Sequence, residues 1–184
     1  MDSFEAEYAG IVTNNILKRL RENEWLDNSI TSAVIEYLKQ VEGANNYHND
    51  SNFMVCLFTH SETDIFVNSQ RDADDYLNYE KLIFLVNIPN THWFVITVYT
   101  KRNEIVVYDS LNNYTDAHKD YCDKILKKLK KKRPEAEFKQ IYFYSPKQNN
   151  ASDCGVFSII NIICAFDKGE ETQVKNNFQA SIIS

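Results

Sequence analysis

The sequence predicts an α+β fold, a central mixed sheet flanked by helices. Apolar runs of strand length crowd the middle of the chain, at 81–86, 93–99 and 104–108. Apolar stripes of helical period lie to either side of them. Strands and helices are partly segregated rather than alternating strictly, which separates α+β from a doubly wound α/β sheet. With 184 residues, 43% of them apolar, and 11 Tyr, 11 Phe and 2 Trp, the chain can bury a core as one domain spanning 1–184. Four Gly and three Pro leave no flexible-linker composition.

The elements follow in order. Asp2-x-x-Glu5 opens a first helix, with Phe4, Tyr8, Val12, Ile16 and Leu20 at four-residue spacing. A second begins near Asp27 or Asn28, carries Ile30, Val34, Tyr37, Leu38 and Val41 on one face, and stops at Gly43. Residues 44–80 are polar and show no clear period. Lys81–Val86 is an apolar β-type run, followed by a turn at Pro89-Asn90. Trp93–Tyr99 and Glu104–Tyr108 form a hairpin through 100–103. Tyr121, Ile125, Leu126 and Leu129 stripe a lysine-rich helix that ends by Pro134, and Ile141–Tyr144 is a further strand. Cys154–Phe166 is apolar nearly all round, which predicts a buried helix.

Charge narrows the function classes. Twenty basic against 26 acidic side chains, net −6, argue against a general nucleic-acid binder. Eight of the basic residues fall in Lys119–Arg133, leaving the rest of the chain at −12. That run reads as the solvated face of an amphipathic helix; a dock for an acidic partner or a membrane is the sharper alternative. The longest apolar run, 155–166, is short of the roughly 20 residues a bilayer span needs, and the acidic start Met1–Glu5 is unlike a signal peptide. Cys56, Cys122, Cys154 and Cys164 include no C-x-x-C pair and no zinc-ligand spacing. They read as reduced thiols in an intracellular protein of the cytoplasm or nucleus, with no metal or organic cofactor.

Four residues could carry chemistry. Cys154 stands at the front of the buried helix after a polar loop, where the positive end of the helix dipole favours a thiolate, the attacking form of cysteine. Taken alone, a free cysteine is more often a small buried hydrophobe. His92 sits at the mouth of the Trp93 strand, open to a cleft. Asp109 follows the Glu104–Tyr108 strand, so the hairpin brings it to the same end as His92, where a carboxylate can hold an imidazole in one tautomer and stabilise its cation. Gln148, six residues before Cys154, offers an amide donor to an oxygen gaining charge during thiolate attack. His48, His60 and His118 have no such framing and are given no role.

The combination Gln148-x-Asn150-x-x-Asp153-Cys154-Gly155-Val156-Phe157, preceded by His92-Trp93 and by Tyr108-Asp109-Ser110-Leu111, resembles the Ulp1/SENP family. These are papain-like cysteine proteases that process ubiquitin-like proteins, in a group that includes bacterial effector deubiquitinases. Trp25-Leu26 followed by Ile30 is similar to the family's N-terminal motif, and the resemblance runs from Trp25 to about Phe166. The family usually has Asn-Asp after Trp-Leu, whereas this chain has Asp27-Asn28.

The resemblance implies Cys154 as nucleophile, His92 as general base and then acid, Asp109 as its orienter and Gln148 as oxyanion donor. It implies Trp25 and Trp93 as walls of a slot for a Gly-Gly tail, a slot that any Cβ would block. The implied activity is removal of ubiquitin, SUMO or NEDD8 from lysine, by a monomer that spans no membrane. The acidic surface leans the choice to ubiquitin, whose tail carries arginines before Gly-Gly. An effector-type acetyltransferase with a similar His/acid/Cys site, and an inactive modifier-binding module, are the alternatives. The wealth of Asn, Ile, Lys and Tyr suggests an A/T-rich genome, hence an effector acting inside a host cell.

Overall fold

The structure is a computed structural model that describes residues 25–26, 53–58, 77, 79–88, 90–166 and 180–182. The two helices expected before residue 44 lie outside the described residues, as does most of 44–80. Among the described residues six strands form one sheet: β1 (Phe53–Phe58), β2 (Lys81–Ile88), β3 (His92–Tyr99), β4 (Glu104–Asp109), β5 (Lys139–Tyr144) and β6 (Ala180–Ile182). They lie side by side in chain order. Pairs β1–β2 and β4–β5 are parallel and the other three antiparallel, so the sheet is mixed as expected. The expected hairpin is present, with Tyr99 opposite Glu104. Parallel neighbours need a long crossover, and helix α1 (Asp116–Lys132) supplies it between β4 and β5. Helix α2 (Cys154–Phe166) follows β5.

The two helices cover opposite faces of the sheet, and strand alternation shows it. Leu82, Phe84 and Val86 of β2, Phe94, Ile96 and Val98 of β3, and Ile105 and Val107 of β4 pack with Tyr121, Cys122, Ile125 and Leu129 of α1. The intervening residues Ile83, Leu85, Trp93, Val95, Val106 and Tyr108 pack with Cys154, Ile162 and Ala165 of α2. Burial on both faces is why these strands are continuous apolar runs rather than alternating ones. Each fully buried side chain such as Leu82 or Phe84 contributes roughly 1.5–3 kcal/mol.

Local chemistry sets the ends. Asn90, Asn103 and Asn112 all take the left-handed conformation, with φ of 55°, 52° and 51°, which asparagine tolerates better than most residues. They turn the chain after β2, β3 and β4. In α1, Asp116 in the first turn and Lys130, Lys131 and Lys132 in the last complement the helix dipole, so the lysine run has a structural explanation. The Lys81 ammonium donates to the Ala165 carbonyl at 2.8 Å, tying the last turn of α2 to β2.

One expectation is corrected. Helix α2 is not buried all round, because Val156 and Ile160 are exposed. A helix laid on one sheet face presents only part of its circumference to it, and these two residues, four apart, point away.

Candidate active site

The strand ends bring the first pair together. His92 is the first residue of β3 and Asp109 the last of β4. Both share the parity of residues whose side chains face α1. The His92 Nε2–H donates to Asp109 Oδ1 at 2.7 Å. His92 is only 6% exposed and Asp109 1%, so the histidine is buried by its neighbours rather than open to a cleft as the sequence suggested. Asp109 also accepts from the Leu111 backbone N–H at 2.8 Å, on Oδ1, and from His118 Nε2 at 2.7 Å, on Oδ2. Burial alone would raise the carboxyl. The bonds from His118 and His92, the His92 charge and the Leu111 N–H outweigh it and hold Asp109 down to about 2.

The nucleophile candidate is placed by the loop before α2. Asn150 Oδ1 accepts from the backbone N–H groups of Ser152 at 3.0 Å and Asp153 at 2.9 Å, while its Nδ2 donates to Asp153 Oδ2 at 2.7 Å. This folds the loop into a turn. The Phe157 N–H then donates to the Asp153 carbonyl at 3.0 Å, which makes Asp153 the cap and Cys154 the first helical residue. Cys154 thus sits at the positive end of the dipole, 1% exposed.

Cys154 lies close enough to His92 to favour its protonated form. Asp109 occupies Nε2, which leaves Nδ1 for the thiol. Burial pushes the imidazole down, but the bond to Asp109, the nearby Cys154 and the charges of both overcome it and raise His92 to about 9. At neutral pH the ring is an imidazolium between a carboxylate and the sulfur.

Gln148 is joined to the residue after Asp109, buried and fixed at both ends of its amide. Its backbone N–H donates to the Ser110 carbonyl at 3.0 Å, and the Ser110 hydroxyl donates to Gln148 Oε1 at 2.5 Å. Gln148 Nε2 donates to the Asn150 carbonyl at 2.7 Å. An amide nitrogen carries two protons, so one remains after the Asn150 bond. Asn112 Nδ2 adds a bond to the Ser145 carbonyl at 2.8 Å. The loops after β4 and β5 are therefore stitched together, with Asp109 leading into one and Gln148 on the other.

The two tryptophans stand differently. Trp93 is 2% exposed and packs in the same apolar cluster as Cys154, whereas Trp25 is 38% exposed. Trp93 Nε1–H donates to the Leu26 carbonyl at 3.1 Å, which ties the Trp25-Leu26 segment to β3. Leu26 also presses on α2: a Cβ built on Gly155 would meet Leu26 Cβ at 2.9 Å. Glycine after Cys154 is thus what lets Leu26 lie against the nucleophile's helix.

A family model described as "Ulp1 protease family, C-terminal catalytic domain" matches residues 24–182. The chain belongs to this family. Its members are cysteine proteases, and the chain is one by that membership. A relative named "Probable sentrin-specific protease 8", from Dictyostelium discoideum, is 27% identical over 185 residues, covering 84% of this chain and 75% of that one. A solved structure of the SUMO protease Ulp1 with its catalytic cysteine oxidized to a sulfenic acid is similar, with TM-score 0.63 and 17% identity over 89% of this chain and 79% of that one. The Ulp1 protease domain in complex with Smt3, the yeast ortholog of SUMO, has TM-score 0.61 and 18% identity, covering 84% and 71%. At those identities the solved structures show the fold, the papain-like Ulp1 type.

Within this Ulp1-family domain, His92 is bonded to Asp109 and acted on by Cys154, and Gln148 is tied to Ser110, the residue after Asp109. Sequence reasoning missed His118 and Ser110. Thr115-x-x-His118 has the spacing of a capping box with histidine in the usual glutamate place, a signal that was there to read. Among the described residues no group of three or more His, Cys, Asp or Glu is placed to hold a metal ion, and no helix is long and apolar enough to cross a membrane.

Proposed function

We propose that this chain is a cysteine isopeptidase that hydrolyses the bond between the C-terminal glycine of a ubiquitin-like modifier and a lysine amine, and that 1–184 is a single catalytic domain. The observation that carries the reading is the buried relay in which Asp109 holds His92 Nε2 and His92 faces Cys154 at the start of α2. In this reading the Cys154 sulfur attacks the glycine carbonyl carbon. The spare Gln148 N–H meets the oxygen as it gains charge. The His92 imidazolium gives its proton to the departing lysine amine, leaving a thioester. The imidazole, now neutral, takes a proton from water, whose oxygen displaces the sulfur and regenerates the pair. Trp25 and Trp93 are assigned to the Gly-Gly tail, with Trp93 as the buried anchor and Trp25 as the exposed wall.

Charge favours ubiquitin, because a chain at net −6 suits arginines ahead of Gly-Gly. The relatives named above act, by their names, on SUMO or sentrin, and they favour a SUMO-type modifier instead. A competent thiol, base, acid and amide in one place argue against an inactive binding module. Acetyl transfer has no use for a diglycine slot.

The test is a panel of ubiquitin, SUMO and NEDD8, each carrying a C-terminal thiol-reactive group, applied to the wild type and to Cys154→Ala. Labelling of the wild type alone by one probe supports the reading and identifies the modifier. A Cys154→Ala variant that keeps full isopeptidase turnover overturns it.

A further inference from the structure

We propose that His118, on the first turn of α1, is a positioning residue for the active site: it fixes Asp109 by holding Oδ2, so that Oδ1 stays aimed at His92. The proposal rests on the reading of Cys154, His92 and Asp109 given above. His118 is 2% exposed, and its ring is held on three sides. It packs against Phe94 at a centroid distance of 4.4 Å, lies nearly parallel to Tyr114 at 5.4 Å, and meets Tyr142 edge-on at 5.9 Å.

Its tautomer is set by a neighbour. The Thr115 backbone N–H, which can only donate, points at His118 Nδ1 at 3.0 Å, and the Thr115 hydroxyl joins it at 2.9 Å. Nδ1 must therefore carry the lone pair and Nε2 the proton, which makes Nε2 an obligate donor to Asp109 Oδ2 at 2.7 Å. The other described donors to the carboxylate, His92 and Leu111, both address Oδ1. The terminal torsion of an aspartate is broad and roughly two-fold, so an anchor on the second oxygen decides whether Oδ1 stays in line with His92. A histidine serving only to cap α1 would need Nδ1 alone.

The experiment uses the whole chain as wild type, His118→Phe and His118→Gln. Phenylalanine keeps the ring and its packing but removes the donor; glutamine returns an amide N–H near the place of Nε2. Two rates are measured: alkylation of Cys154 by iodoacetamide at pH 6.5, followed by mass spectrometry, and kcat/KM on a modifier bearing a C-terminal fluorophore. A bond to a charged acceptor is worth enough that its loss slows both rates by about tenfold or more in His118→Phe. His118→Gln recovers most of the loss, and thermal melts confirm that both variants are folded. Wild-type rates in His118→Phe, or equal losses in the two variants, overturn the proposal. The alkylation readout needs no substrate, so a wild type in which Cys154 is not the fast-reacting thiol overturns instead the site on which the proposal stands.

Discussion

Replacing Asp109 by asparagine should disable the site by reversing a tautomer as well as by removing a charge. His118 presents a fixed N–H to Oδ2, because its Nδ1 accepts from Thr115. An asparagine there sets its NH2 against a fixed donor either way, His118 at the Oδ2 side or the Leu111 N–H at the Oδ1 side; the damaging orientation is the one with its oxygen toward His118. The NH2 then faces His92 Nε2 and donates to it, which moves the His92 proton to Nδ1, against the thiol it is meant to deprotonate. The charge effect adds to this. The rise of His92 from 6.5 to about 9, which Asp109 and Cys154 together produce against burial, is worth roughly 3 kcal/mol in favour of the imidazolium, so losing the carboxylate's share costs on the order of 10- to 100-fold in the paired state. With the wrong tautomer the total approaches the roughly 10⁴-fold seen for the same change in a serine-protease triad.

The assay is kcat/KM on the fluorogenic modifier for Asp109→Asn, His118→Phe and the double variant. Without the donor at 118, the asparagine is free to flip and return its oxygen to His92. The double variant should therefore be faster than Asp109→Asn alone, although His118→Phe by itself is slow. An Asp109→Asn enzyme within tenfold of wild type, or a double variant slower than both singles, refutes the tautomer argument.

Gly155→Ala drives a methyl into Leu26 Cβ at 2.9 Å; thermal or denaturant melts should show a loss of about 1–3 kcal/mol, partly relieved by adding Leu26→Ala. Ser110→Ala releases Gln148 Oε1 and should lower kcat by about tenfold with little change in KM, as expected for an interaction made in the transition state. A pH series should show turnover failing as pH rises through about 9, where His92 loses the proton it must give to the lysine amine. The same pair sets a stability window. His92, raised above 6.5, stabilises the fold fully below 6.5, and that contribution is lost as pH rises through 9; Asp109, held below 3.8, stabilises above 3.8, and its contribution is lost as pH falls through 2. Melting temperatures across pH should flatten on the alkaline side in Asp109→Asn.

The strands β2 to β4 and the helix α2 were legible because their signals are local: apolar runs of strand length, a four-residue hairpin loop, and a cysteine where a polar loop meets an apolar helix. β1 was not, although Phe53–Phe58 is largely apolar, because six such residues carry no period that separates a strand from a short helix. The three residues of β6 are too few to carry any. The exposure of Val156 and Ile160 was missed for a different reason, since composition reports how apolar a helix is and not which side the sheet will take. His92 and Asp109 could be paired from the hairpin alone. His118 could not, because its bond to Asp109 nine residues earlier depends on how the irregular segment 110–115 turns into the first turn of α1, which no apolar period encodes.

Strand parity also explains why the site must lie at the end of the sheet. His92 and Asp109 have the parity that faces α1, while Cys154 packs in the cluster on the α2 face. Through the middle of the sheet, two layers of buried side chains and a backbone ladder would keep an imidazole on one face away from a sulfur on the other. At the strand ends no ladder intervenes. β3 begins at His92 and β4 stops at Asp109, so the imidazole can reach past the edge to the first residue of α2. The apolar sheet between the helices keeps the two halves rigid, and the stitched loops at 109–112 and 145–153 fix the distance between them. Insertions that lengthen β3 or β4 by one residue at this end should therefore abolish turnover without unfolding the core, since each reverses the parity of His92 or Asp109.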